Sequence, residues 1–214
     1  MRLIVAAIAF SVATAPISAD AVSFVYLTDF RGVGASNCNP AVCTPVFSIF
    51  PEPFEDWSFS QPLLDISVSQ TSVLGDQQMT VESAISTERE DEFPGEYSRA
   101  SSVFSIVFQV TEDTPYTLVG DCAFNEIELA RSENGSPVEL IASNGNAPTI
   151  EASGFLLAGE EYRIFAGIPL FNTLGSGPKS VITSMRLTLV PEPASALMVA
   201  LGLAALARGR RPNR

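Results

Sequence analysis

The chain has 214 residues, with 12 Lys and Arg against 24 Asp and Glu and no His, giving a formal charge of −12. Without His, a Ser-His-Asp triad, a Cys-His pair, a His-ligated zinc and a His proton shuttle are excluded. The acidic balance argues against nucleic acid as a partner, because phosphate binding relies on Lys and Arg, and the length predicts one main domain with additions and a core that needs no disulfide support.

The first 21 residues read as a secretory signal peptide. Arg2 and the terminal amine form the charged region, residues 3–10 are apolar, and small residues follow through Ala15. Cutting after Ala21 uses Ala19-Asp20-Ala21, which fits the small-x-small rule. A cut after Ala19 places Ile17 at the less favoured position. The apolar run is too short to span a bilayer. Signal peptidase and the general secretion machinery are the partners this end predicts.

Between Asp20 and Val190 there are 23 acidic residues and seven basic ones, Arg31, Arg89, Arg99, Arg131, Arg163, Lys179 and Arg186. This is an acidic body, expected to expose a mutually repelling surface. Residues 22–189 are expected to form one all-β domain, because apolar residues mostly recur with period two. Residues 22–28 give the first expected strand. Residues 31–61 are rich in Pro and aromatics with poor periodicity, and are expected to form a long ordered loop over one end.

That loop contains Cys38 and Cys43, close enough in sequence to close a small disulfide in an oxidising compartment. Two thiols without His do not complete a tetrahedral metal site, so no metal is expected there. Cys122 is the odd one, either pairing with one of the others or serving as a small buried hydrophobe. The same loop holds Pro51-Glu52-Pro53, followed by charged and aromatic residues.

Further strands are expected at 65–70, 79–85, 103–110, 115–120, 127–130, 138–142, 162–166 and 181–189. In 103–110, Phe104, Ile106, Phe108 and Val110 share a face; in the last strand, Val181, Thr183, Met185, Leu187 and Leu189 do. Turn signals separate the strands, among them Asn134-Gly135 and Asn144-Gly145. The expected architecture is a two-sheet antiparallel β-sandwich, jelly-roll or immunoglobulin-like, although the Cys-Trp-Cys pattern of antibody domains is missing.

The C-terminus has three parts: Pro191-Glu192-Pro193, the uncharged stretch 194–207, and a tail with Arg208, Arg210, Arg211 and Arg214. The prolines lack the amides that would extend the preceding strand. The Ala- and Leu-rich stretch favours helix and partitions into lipid, and the arginines stay cytoplasmic. At about 1.5 Å per residue this helix falls short of the roughly 30 Å hydrocarbon core, so the anchor is marginal.

This arrangement over residues 190–214 resembles the PEP-CTERM sorting signal of Gram-negative exported proteins. The resemblance implies that an integral membrane exosortase recognises Pro191, Glu192 and Pro193, with Arg208, Arg210 and Arg211 as the membrane stop. It implies a transient stay in the inner membrane, removal of the tail, and delivery of the body to the cell surface or extracellular matrix. Members of this family are often associated with exopolysaccharide and biofilm, so exopolysaccharide is an implied partner. The earlier Pro51-Glu52-Pro53 lacks the apolar span and should be ignored.

No catalytic residue and no cofactor are expected of the body. The densest acidic stretch, Glu88, Glu90, Asp91, Glu92 and Glu96, lacks the Asp-x-Asp-x-Asp-Gly order of a calcium loop. Glu126 and Glu128 alternate with Ile127 and Leu129, as on the wet face of a strand. The alternatives are a carboxylate-dependent glycan hydrolase and a calcium-stabilised adhesin. Trp57, Tyr97 and Tyr116 are candidates for carbohydrate contact, although such aromatics more often serve core or loop packing.

Overall fold

In a computed structural model, residues 22–38, 42–63, 66–87, 97–122, 126–172 and 179–190 are described. They form twelve strands: β1 (Phe24–Cys38), β2 (Cys43–Ile49), β3 (Trp57–Leu63), β4 (Ile66–Leu74), β5 (Gln78–Thr87), β6 (Tyr97–Val110), β7 (Thr114–Cys122), β8 (Glu126–Glu133), β9 (Ser136–Ser143), β10 (Thr149–Leu156), β11 (Tyr162–Asn172) and β12 (Lys179–Leu189). The first sheet has the order β2-β1-β6-β11-β8-β9 and the second β10-β7-β12-β5-β4-β3. Every pairing is antiparallel. The fold is therefore an all-β sandwich of six strands on six.

The two strands with the cleanest alternation lie in the middle of their sheets. Phe104, Ile106, Phe108 and Val110 of β6 point into the core, as do Val181, Thr183, Met185, Leu187 and Leu189 of β12. Burying one face of each strand stabilises by about 25 cal/mol per Å² of apolar surface, which is what fixes the register. The Asn134-Gly135 pair makes the β8–β9 hairpin, with both residues at positive φ (53° and 79°), as a primed hairpin turn requires.

The expected loop over 31–61 is instead mostly strand: it holds the second half of β1, all of β2 and most of β3. For β1 the difference comes from a bulge at Leu27. Tyr26 pairs with Phe108 but Thr28 pairs with Val107, so the extra residue shifts the inward set from even to odd positions. Phe24 and Tyr26 lie on the core side before the bulge, and Asp29, Arg31, Val33 and Ala35 after it.

The core is divided. One apolar cluster includes Phe104, Phe108, Leu118, Ile127 and Leu187, and a second includes Val33, Val68, Ile85, Ala100 and Val181. Between them each contributing strand places a buried polar residue: Arg31 on β1, Gln70 and Ser72 on β4, Ser83 on β5, Ser102 on β6 and Thr183 on β12. The Gln70 amide donates to Ser102 Oγ (2.8 Å), to the Val103 carbonyl (3.1 Å) and to Ser83 Oγ (3.3 Å). Such a layer costs desolvation, which these bonds offset in part, since Gln70 Oε1 is buried without a hydrogen-bond partner among the described residues.

Candidate functional site

The tripeptide Pro191-Glu192-Pro193, the span 194–207 and Arg208, Arg210 and Arg211 lie outside the described residues, as do the signal peptide and the acidic stretch from Glu88 to Glu96. The geometry of the chain that leads into the tail is defined. Strand β12 is flanked by β7 and β5 on its two sides. It carries hydrogen bonds to its very end: Leu189 N–H donates to the Gln77 carbonyl (2.9 Å) and Val190 N–H to the Pro115 carbonyl (2.9 Å). The Thr114 hydroxyl donates to the Val190 carbonyl (3.4 Å). Pro191 is the next residue in sequence.

The start of the body lies at the same place. Gln77, whose carbonyl takes Leu189, donates from its side-chain amide to the Val22 carbonyl (3.1 Å). Phe24 N–H donates to the Asp76 carbonyl (2.8 Å), and Ser23 and Thr111 are joined by two hydrogen bonds (3.0 and 3.1 Å). Residues 22 and 190 therefore leave the sandwich from one end.

The loops at this end are 50–56, 75–77, 111–113, 134–135 and 157–161, as the strand registers require. Together they hold Glu52, Glu55, Asp56, Asp76, Glu112, Asp113, Glu160 and Glu161 and no Lys or Arg. Glu161 is built into the fold: it accepts from Ser132 Oγ (2.6 Å) and Gly135 N–H (2.7 Å), and these bonds hold its carboxyl below the ordinary range. Arg131 pairs with Glu139 (3.3 Å) and Glu160 (3.7 Å).

The internal Pro51-Glu52-Pro53 is also at this end, fixed by a buried ion pair that sequence reasoning missed. Arg31 is 1% exposed. Its guanidinium forks onto the Asp29 carboxylate, with Nε 2.8 Å from Oδ1, and reaches across the sandwich to Ser72 Oγ (2.7 Å) and to the Glu55 carbonyl (2.7 Å). Asp29 also accepts from Phe54 N–H (2.7 Å), and Phe54 sits at φ 63° with its ring stacked on Tyr26. Asp56 accepts from Leu74 N–H (2.9 Å). Tyr26 donates to the Gly75 carbonyl (2.6 Å), and burial, with Asp76 and Asp56 nearby, raises its pKa well above the phenol range. Asp-x-Arg was visible in the sequence, but only the bulge at Leu27 turns both side chains inward.

Cys38 and Cys43 form a disulfide across the β1–β2 turn, at the opposite end. Cys122 is not in a disulfide; it is buried, and its Sγ donates to the Ala147 carbonyl at 3.9 Å. Tyr116 is 3% exposed and belongs to the core, which removes it as a carbohydrate contact. Trp57 is half-buried, packed on the second cluster and stacked on Phe59. The Tyr97 side chain lies outside the described residues.

Ile127 and Leu129 are fully buried, leaving Glu126 and Glu128 on the outer face. Burial and a hydrogen bond from Glu126 push the Glu128 carboxyl up, against a lowering influence from Arg163. A shallow groove of about 700 Å³ crosses the outer face of the second sheet, with Glu82, Asp121, Glu151 and Arg186 among its lining. Glu82 and Asp121 both pair with Ser184, so they stand two strand spacings apart, about 9.6 Å, on one face. No group of three or more metal-ligating side chains that could hold an ion occurs among the described residues. Among the described residues no helix is long and apolar enough to cross a membrane.

No model of a known protein family matches the sequence, and no curated protein matches it.

Proposed function

We propose that the chain is a noncatalytic exported protein of the cell surface or extracellular matrix, sorted and trimmed by an exosortase at Pro191-Glu192-Pro193. Arg208, Arg210 and Arg211 act as the membrane stop, and exopolysaccharide is the partner environment of the released body. The observation that carries this reading is the ending of β12. Its last hydrogen bonds are made by Leu189 and Val190, and the tripeptide begins one residue later. A cut at or beyond the tripeptide takes no described strand, core residue or hydrogen bond from the body.

The internal copy supports the same reading by contrast. Pro51-Glu52-Pro53 is followed by a loop bound through Asp29, Arg31 and Asp56, so it is not offered as a loose extended peptide. A noncatalytic body fits the carboxylates, because Glu82, Asp121 and Glu151 rise from one open sheet face and do not oppose one another across a cleft.

The test is a pair of variants in the native bacterium. Pro191→Ala with Pro193→Ala is expected to leave uncleaved protein in the membrane fraction, while Pro51→Ala with Pro53→Ala is processed normally. Normal release of the first variant would remove the basis for the proposal.

A further inference from the structure

We infer that, while its tail is embedded, the body stands end-on at the membrane, with the 75–77, 111–113 and 157–161 loops facing the lipid headgroups and the Cys38–Cys43 end pointing away. The inference rests on the reading of 194–207 as a membrane anchor and adds to it an orientation and a membrane-facing end.

Two features support this orientation, the second resting also on the reading of residues 1–21 as a signal peptide. The first is the absence of a linker. Val190 is hydrogen-bonded to Pro115 in the folded body, and only three residues separate it from Ala194, where the apolar stretch begins. Four steps of extended chain reach at most about 14 Å. The end of the sandwich carrying Pro115 and Gln77 is therefore kept close to the lipid surface. The second is the position of Val22 beside Gln77. A body held at the membrane through a signal peptide presents the same end as one held through the tail, so cleavage of the first and retention of the second require no reorientation.

The far end is well separated. β12 runs eleven residues from Lys179 to Leu189, which at about 3.3 Å per residue is roughly 36 Å. The near loops hold no Lys or Arg and include Asp76, Glu112 and Asp113, and a tether of about 14 Å keeps this end within about two Debye lengths of the headgroups at physiological salt. An anionic leaflet repels them, so the contact is a stand-off and not an adhesion.

The experiment uses full-length protein purified from a host lacking the processing enzyme and reconstituted into phosphatidylcholine vesicles carrying a headgroup-attached quencher. One fluorophore is placed at the membrane-facing end through Glu112→Cys and, separately, one at the far end through Asn146→Cys. Both native side chains are exposed and make no described hydrogen bond. The expected result is co-flotation of both, with several-fold more quenching at position 112 than at 146. Replacing a third of the lipid by phosphatidylglycerol is expected to reduce quenching at 112, and added salt to restore it. Co-flotation with equal or reversed quenching overturns the orientation and leaves the anchor standing. Failure to co-float overturns both.

Discussion

Val22 and Leu189, 167 positions apart in the chain, are hydrogen-bonded to the same residue, Gln77, one through its side-chain amide and the other through its carbonyl. The two ends of the body are thus stitched together within the folded sandwich. A protein of residues 22–190 is therefore expected to fold without the tail. Circular dichroism should show strand and a cooperative melt matching that of the longer chain. Gln77→Ala loses only the bond to Val22, at about 1 kcal/mol, because the carbonyl that holds Leu189 is backbone. Collapse of the 22–190 protein into an unfolded chain would contradict the described boundary.

Arg31 is the most consequential polar side chain in the core. Arg31→Ala leaves the Asp29 carboxylate buried with Phe54 N–H as its one remaining donor among the described residues and is expected to cost about 3–5 kcal/mol, a large part of a typical domain stability. Asp29→Leu combined with Arg31→Met should cost much less, since replacing both charges removes the desolvation penalty. Urea denaturation of the three proteins checks this. Equal losses for the single and double variants would show that the pair is not the source of the stability. The single variant should also open the 50–56 loop to proteolysis before global unfolding.

Two carboxyls are expected to give opposite pH signatures. Glu161 is held below the ordinary range by Ser132 and Gly135, so its contribution is present above the unfolded pKa and is lost as pH falls through the folded value. Glu161→Gln should lower the melting temperature at pH 7 and make little difference in strong acid. Glu128 is raised by burial and by Glu126. Between its unfolded and folded pKa the native state binds more protons, so stability falls as pH rises through that window. Glu128→Gln should raise the melting temperature slightly at pH 7, with the gain vanishing below the ordinary carboxyl range. Parallel pH profiles for wild type and either variant would contradict the assignments.

The Cys38–Cys43 disulfide closes a loop with a sequence separation of five. A loop this small restricts the unfolded chain modestly, by about 2 kcal/mol on the chain-entropy scale. Reduction is therefore expected to lower the denaturation midpoint without abolishing the fold, since the core lies between the sheets and not at that turn. Complete unfolding on reduction would contradict this.

The sandwich class was legible because β6 and β12 alternate cleanly and sit inside their sheets. Three strands were not. β2 and β3 fell in the stretch expected to be loop, and β10 was not anticipated; each is an edge strand whose residues are mostly exposed, so burial imposes little alternation on it. Gln70, Ser83 and Ser102 resemble wet-face residues in a sequence and become core only through one another. The Asp29–Arg31 pair was hidden by a single inserted residue. The meeting of Val22 with Gln77 depends on tertiary register, which no local pattern encodes.

The C-terminal end is proposed above as a removable sorting signal on the sandwich. Intact mass of the protein isolated from its native cell envelope tests it most directly, compared between the wild-type bacterium and a strain lacking the processing enzyme. The account predicts a wild-type product that begins at Asp20 or Val22 and lacks the residues beyond the Pro191-Glu192-Pro193 region, and a mutant-strain product that retains Arg214. A wild-type product still carrying Arg214 would contradict it.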